Sequence, residues 1–539
     1  MGLQSPLRCR AYGVDHDGIC LLIELGVHRV LLDCGLSDLS VLQRELADHP
    51  PDFVFCSHAH NEHVQGLMQL QTCYPELPIY MSEVTLTLVA ANQDSVALPL
   101  NLHSLPWRSP IQIPHSPLQV QLFPAGHLPG AAAILLTYST PERTYTVLYT
   151  GDFCRTNFRL TEGLNLESLR GAAPDVLILE GSYGTTQYPH HRQQEKQFLA
   201  ALDHQLSQGR SILLLTPALG LAQEILVLLR SHHQFTGRDL DIWVDEPIAQ
   251  VCDIYLEVVS HLPTAIQNFA RHQPLFWDTQ VLPRMQRLNH PPILRSGQSP
   301  RIVVSDRWPN WFTPSERRTE PWCVFWPERE LQQLSLNPEQ LESMPYAAVS
   351  YCLTEHNDGP NTLQFIHNIR PQHLVFMHGS PQSLEQLTSL VELQNRYQLH
   401  WPRPQSTVEF PLGDRFLQPS PPFSQPYLGE IQETEQHITL RFPANLTIAP
   451  QWLEFADTGM VEARWQGNDF CVQSLSQQQL SERILQAAPS PNPLQCVNCQ
   501  HYRRHICQNS QSTLYQRSVS PEGYCSQYQD KSVESEGLG

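Results

Sequence analysis

Short apolar runs that each stop at a glycine or a polar residue dominate the first 190 positions. "GICLLIEL", "HRVLLDCG", "DFVFCSH", "VQLFPAGH", "AAILLTYS", "TVLYTGD" and "DVLILEGS" all follow this rule. Runs of this length, bounded by turn formers, read as buried strands. Helical patterns sit between some of them, as in "LSVLQRELADH" and "VTLTLVAANQ". Several strands therefore end in Asp, His or Ser, and strand ends that face one edge can bring together side chains far apart in the chain. That points to an α/β architecture whose chemistry sits on loops at a sheet edge.

The pattern changes along the 539 residues, which suffice for several domains. The expected order is a first α/β part over 1–190 and an inserted α/β lobe over 191–345. The first pattern returns over 346–415, a small β-rich domain spans 427–485, and a four-cysteine module spans 490–530. Longer helices alternate with strands in the lobe, as in "HHRQQEKQFLAALDHQLSQG" followed by "SILLLTP". The Pro-rich stretch 401–426 reads as an exit and linker. The most apolar segment, 211–229, holds Pro217, Gln223 and Glu224 and reads as strand plus helix rather than a membrane span. The N-terminus lacks the apolar run of a secretory signal. Most of the 14 cysteines stand singly in apolar strands, which fits a reducing, cytoplasmic setting. The net charge of −19 gives no long-range attraction for polyanions or anionic lipid. Any nucleic acid must be gripped by local features.

The segment "SHAHNEH" carries the densest chemistry: His58, His60, Glu62 and His63 within six positions. Imidazole nitrogens and carboxylate oxygens are zinc donors, and two donor pairs on one loop can feed two adjacent metals. A histidine-rich surface loop is the plainer reading for that segment alone. Three further motifs argue against it: "AGHLPGAA" with His127, "LYTGDFCR" with Asp152, and "VLLDCG" with Asp33.

With these motifs the chain resembles the metallo-β-lactamase fold and, within it, the β-CASP group of nucleic-acid hydrolases, which includes ribonuclease J and the endonuclease that processes messenger RNA 3′ ends. "LILEGSYG" with Glu180, "LTEHND" with His356 and "VFMHGSP" with His378 match the group's later marks in order, and the match spans about residues 10–410. The resemblance implies an αββα sandwich carrying an inserted α/β lobe. It implies that His58, His60 and His127 hold one Zn²⁺, that Glu62, His63 and His378 hold a second, and that Asp152 bridges them. Asp33 would be structural, and His356 backed by Glu180 would protonate the leaving oxygen. The implied activity is cleavage of single-stranded RNA by a di-zinc ribonuclease, endo- or exonucleolytic, with no membrane partner and with a homodimer as the assembly to test.

Two departures from the family pattern bear on that reading. Glu62 stands where the family has aspartate, one methylene longer. After "RIVVSD", a Gly-rich turn gives way to "RWPNWFTPSERRTEPW". There Trp308, Trp311 and Phe312 could stack bases while Arg307, Arg317 and Arg318 meet phosphates; packing of the lobe core is the equally weighted alternative. These departures keep open a catalytically weakened scaffold that binds RNA or a partner. The acidic charge keeps open a metallohydrolase of a non-nucleic-acid ester.

The tail places Cys496, Cys499, Cys507 and Cys525 as C-x2-C-x7-C-x17-C. Such a set can bind Zn²⁺ or a [4Fe–4S] cluster, and disulfides are the plainer alternative. "CVNCQHY" and "PEGYCSQY" resemble ligand segments of high-potential iron–sulfur proteins, which favours the cluster.

Overall fold

Strand Leu7–Asp15 turns at His16 and Asp17 into strand Gly18–Leu25, and the two pair antiparallel. The computed structural model describes residues 7–91, 101–114, 116–169, 172–288, 300–312, 321–328 and 347–412. Beyond these it describes 430–433, 438–441, 461–466, 469–474, 496–504, 506–511, 515–516 and 529. The chain divides into a unit of residues 1–419 and a second of residues 420–539.

In the first unit, two seven-stranded sheets face each other. One runs Thr407–Glu409, Leu7–Asp15, Gly18–Leu25, His28–Leu32, Phe53–Phe55, Ile79–Ser82, Leu102–Leu105. The other runs Gln398–His400, His373–Met377, Val176–Glu180, Thr144–Tyr149, Ala132–Ser139, Leu118–Pro124, Ile111–Gln112. Alternate residues of each sheet meet in one apolar layer. Leu21, Ile23, Val30 and Phe55 come from the first sheet and Ile134, Val147, Ile178 and Val375 from the second. Full burial of such side chains is worth about 1.5–3 kcal/mol each, so the layer fixes how the two sheets face each other. Their outer faces join a larger apolar cluster that includes helix residues such as Leu42 and Leu70. This is the αββα sandwich of the metallo-β-lactamase fold.

Parallel pairing places the useful strand ends together. Thr144–Tyr149, Val176–Glu180 and His373–Met377 run parallel side by side, so Asp152, Glu180 and His378 leave one edge. His28–Leu32 and Phe53–Phe55 are likewise parallel, which puts Asp33 and His58 at neighbouring strand ends. The inserted lobe is a separate six-stranded sheet, parallel throughout. The segment read as strand plus helix forms strand Ser211–Leu215 and helix Leu221–Ser231. The expected lobe border at 345 falls one strand short. Ala347–Tyr351 pairs with Trp322–Pro327 inside the lobe sheet, because its alternating partner positions complete that edge before the chain returns to the core. Among the described residues, no helix is long and apolar enough to cross a membrane.

In the second unit, Glu430–Glu433 pairs antiparallel with Ile438–Arg441, and Val461–Gln466 with Asp469–Ser474. The cysteine segment forms a short hairpin of Tyr502–Arg503 with Ile506–Cys507.

One glycine decides whether the histidine loop can seat. A Cβ at Gly35 would lie 1.6 Å from the carbonyl oxygen of Glu62, and backbone cannot yield as a side-chain tip would. Gly35→Ala is therefore expected to destabilise the fold by about 3 kcal/mol or more and to lower metal content together with the melting temperature. Thermal unfolding and metal analysis of the variant check this, and an unchanged melting temperature would contradict it.

Candidate metal centre

Nine side chains from six loops or strand ends converge at the shared edge. One ligand atom each from His58, His60, His127 and Asp152 lies within 4.8 Å of the others. The same holds for Glu62, His63, Asp152 and His378, and for Asp152, Glu180, His356 and His378. Asp152 belongs to all three groups. The expected ligands are therefore brought together, including Glu62, whose extra methylene does not carry its carboxylate out of reach.

Distances within the groups suit a shared cation. Asp152 Oδ2 stands 3.6 Å from His58 Nε2, 3.5 Å from His63 Nε2 and 3.9 Å from His127 Nε2. His60 Nδ1 is 3.2 Å from His58 Nε2 and 3.1 Å from His127 Nε2. Donors bound to one tetrahedral zinc at its usual bond lengths lie about 3.3–3.5 Å apart. Both carboxylate oxygens of Asp152, His63 Nε2 and His378 Nε2 are buried and make no hydrogen bond among the described residues. A buried polar atom without a partner costs about 1–3 kcal/mol, and a cation bound by Asp152 and His63 would account for three of these atoms. The donors fit a metal.

Neighbouring groups aim the rings. Asp33 accepts from the Ser57 backbone N–H at 2.6 Å and from the Ser57 hydroxyl at 2.7 Å. It also holds His63 Nδ1 at 2.7 Å and accepts from Tyr149, so Nε2 of His63 must face the centre. Ser57 Oγ lies 3.0 Å from His58 Nδ1, and the Glu355 carbonyl lies 3.2 Å from His127 Nδ1. His60 differs: its Nε2 meets the carbonyl of Leu219 in the lobe at 3.3 Å, leaving Nδ1 for the centre. Asp33 has φ +56° and His378 φ +49°, a left-handed backbone that non-glycine residues adopt at a cost.

Burial and charge set the protonation states. Burial, with neighbouring histidines, holds His58 and His127 well below the usual imidazole pKa, so both are neutral donors. Burial alone would raise Glu62 and Asp152, but the charges of His60 on Glu62 and of His378 on Asp152 outweigh it and hold both lower. His63 is the exception. Burial opposes its charge, yet Asp152 and Asp33 together raise its pKa, so a metal entering there must displace a proton.

Beside the centre, His356 Nδ1 lies 2.8 and 2.7 Å from the two carboxylate oxygens of Glu180. Glu180 also accepts from the Phe153 N–H at 2.7 Å and from Ser182. Burial would raise Glu180, but His356 prevails and holds it down at about 2. The His356 ring sits 4.6 Å from that of His127, centroid to centroid.

The aromatic segment does not stand as an open stacking platform. Phe312 is fully buried, and Trp308 and Trp311 pack with it against Leu213, Leu215, Val303 and Trp322. Trp308 Nε1 donates to the Phe312 carbonyl at 2.9 Å. The rings spend their faces on each other because the strand edge beneath them is apolar. Arg307 is exposed but is forked onto Asp306 at 2.8 and 2.9 Å. Arg317 and Arg318 lie outside the described residues, as does Cys525.

Sequence reasoning did not single out Ser57, Tyr149 or Ser182, although each stands within three residues of a marked residue. His16 was also missed; its ring lies edge-on to His378 at 4.5 Å. Nothing in the sequence marks the Leu219 carbonyl.

A family model described as a beta-lactamase superfamily domain matches residues 28–213. The chain is 46% identical over 533 residues to an uncharacterized protein of Synechocystis sp., covering 95% of each. It is 29% identical to a probable RNase of Methanocaldococcus jannaschii, over 44% of this chain and 58% of that one. It is 27% identical to a ribonuclease of Thermus thermophilus, over 46% and 60% respectively. The chain thus spans less than two thirds of either ribonuclease.

Two outcomes follow from the geometry. Asp33→Ala should weaken metal affinity about 10–100-fold, the usual effect of losing a group that orients a ligand, most at the His63 side, which Asp33 holds directly, and less at the His58 side, which it reaches through Ser57; competition with a chelator measures it. Because His58 and His127 stay neutral below their ordinary range, metal retention there should persist as the pH falls through about 6.5. It should be lost only at lower pH, and a metal-release titration reads the midpoint.

Proposed function

The chain belongs to the metallo-β-lactamase superfamily and to its β-CASP branch, and from that membership we propose that it is a two-zinc hydrolase of phosphodiester bonds in single-stranded RNA. The observation that carries this reading is the carboxylate of Asp152, shared by two donor sets composed only of nitrogen and oxygen. Such sets suit zinc. Two zinc ions, when bound, would supply Lewis acidity to phosphoryl oxygens and lower the pKa of a water.

The chain's own residues do the rest. His58, His60 and His127 would hold one ion, and Glu62, His63 and His378 the other. Asp33 and Ser57 fix the tautomers of His63 and His58 by occupying their Nδ1 atoms. Glu180 holds Nδ1 of His356, which leaves Nε2 as the atom able to give a proton to a leaving oxygen. A carboxylate partner fixes the imidazole tautomer and favours its charged form. His356 lies beside His127, within reach of a group bound at the centre. The ribonuclease names of two relatives support an RNA substrate, and the acidic chain implies that the grip on it is local. A cytoplasmic location suits a reducing-compartment thiol content.

A second reading, a scaffold that binds RNA without cutting it, is favoured by Glu62 in place of aspartate and by the lost Gly-rich turn. Incubation of the full chain with labelled single-stranded RNA separates the two. Cleavage with zinc is expected, and His356→Ala should lower kcat about 10²–10⁴-fold while metal content stays intact. His60→Ala should abolish both cleavage and loading of its ion. Bound metal and bound RNA without cleavage under any metal supplement would sink the hydrolase reading and leave the scaffold. Hydrolysis of small esters with RNA untouched would move the substrate outside nucleic acid.

A further inference from the structure

The cysteine-rich segment supplies none of the residues assigned to that chemistry, and among its described residues burial runs opposite to that of an ordinary small domain. Among its described residues, the buried ones are Cys496, Cys499, Cys507 and Asn509. Val497, Ile506 and Tyr515 are 41%, 42% and 45% exposed. Sulfurs are turned inward while the larger apolar side chains face water. Among the described residues the burial is of sulfur rather than of large apolar side chains, and small modules with little core need a staple of another kind.

The backbone links the three cysteines through one turn and one short hairpin. The Cys499 N–H donates to the Cys496 carbonyl at 2.9 Å, closing the C-x2-C turn, and the Tyr502 N–H donates to the Cys499 carbonyl at 3.1 Å. Pairing of Tyr502 with Cys507 returns the third cysteine to the same end. The Gln516 N–H donates to the Cys507 carbonyl at 2.7 Å, and the Gln500 N–H to the Gln529 carbonyl at 2.8 Å, which ties residue 529 back to the turn. Cys499 and Cys507 are free thiols.

We propose that this segment is a thiolate metal centre, with Cys496, Cys499 and Cys507 as ligands to a thiophilic metal, either zinc or the irons of a sulfide cluster. The sequence supplies a fourth thiol, Cys525, outside the described residues. The three sulfurs are not drawn within 4.8 Å of one another as the histidine groups are. A cluster, whose thiolates bind different irons, asks less proximity of its sulfurs than a single zinc does. In both cases binding contributes folding free energy to a segment with little else to stabilise it. The proposal is independent of the hydrolase reading.

The test compares full-length protein, purified anaerobically, with the Cys499→Ser/Cys507→Ser variant, both assayed for zinc, iron and acid-labile sulfide. The expected difference is one zinc per chain, or iron with matching sulfide and a visible thiolate band, lost in the variant while metal at the histidine centre is unchanged. In the unaltered chain, the cysteines should resist alkylation until a chelator is added, which keeps the test valid if the variant tail fails to fold. Equal metal in both proteins with thiols alkylated at once would overturn the proposal. So would disulfides among these cysteines in unreduced peptide maps.

Discussion

A buried carboxylate ringed by histidines organises the core of this molecule. Asp152 has both oxygens out of water and without hydrogen bonds, and four histidines approach it within 3.1–3.9 Å. A single charge so placed would be costly, since desolvating an ion costs several kcal/mol even after relaxation. Histidine charge offsets part of that cost, and a bound cation would offset the rest. The parallel strands that deliver Asp152, Glu180 and His378 to one edge, and the Gly35 seat under the Glu62 loop, all serve to put donors around that point.

Much of this was legible in the sequence because the determining signals are local. Strand ends announce themselves by the residue that stops an apolar run, so Asp33, His58, His127, Asp152 and Glu180 could be picked out before any coordinates. His378 and His356 follow the same rule in the return segment. The seven side chains do meet. What could not be read was anything that depends on packing across the fold. The contact between His60 and the Leu219 carbonyl joins the core to the lobe over 159 positions, and a backbone carbonyl leaves no mark in a sequence. The border of the lobe was misplaced for a related reason. Which sheet a strand joins is decided by its neighbours, and Ala347–Tyr351 looks the same by composition in either.

The two departures from the family pattern have different weight. Glu62 keeps the charge and donor atom of aspartate, and the loop absorbs the added length, so the carboxylate stands with His63, Asp152 and His378. The aromatic segment after Ser305 changes more. Phe312 is buried and Trp308 and Trp311 pack part-buried against it at the lobe edge, so the segment spends part of its aromatic surface on the fold.

The most direct measurement is anomalous scattering at the zinc edge from crystals of the full chain grown with zinc. The account predicts two peaks flanking Asp152, one among His58, His60 and His127 and the other among Glu62, His63 and His378. A single peak, or none at Asp152 with zinc bound elsewhere, would contradict it.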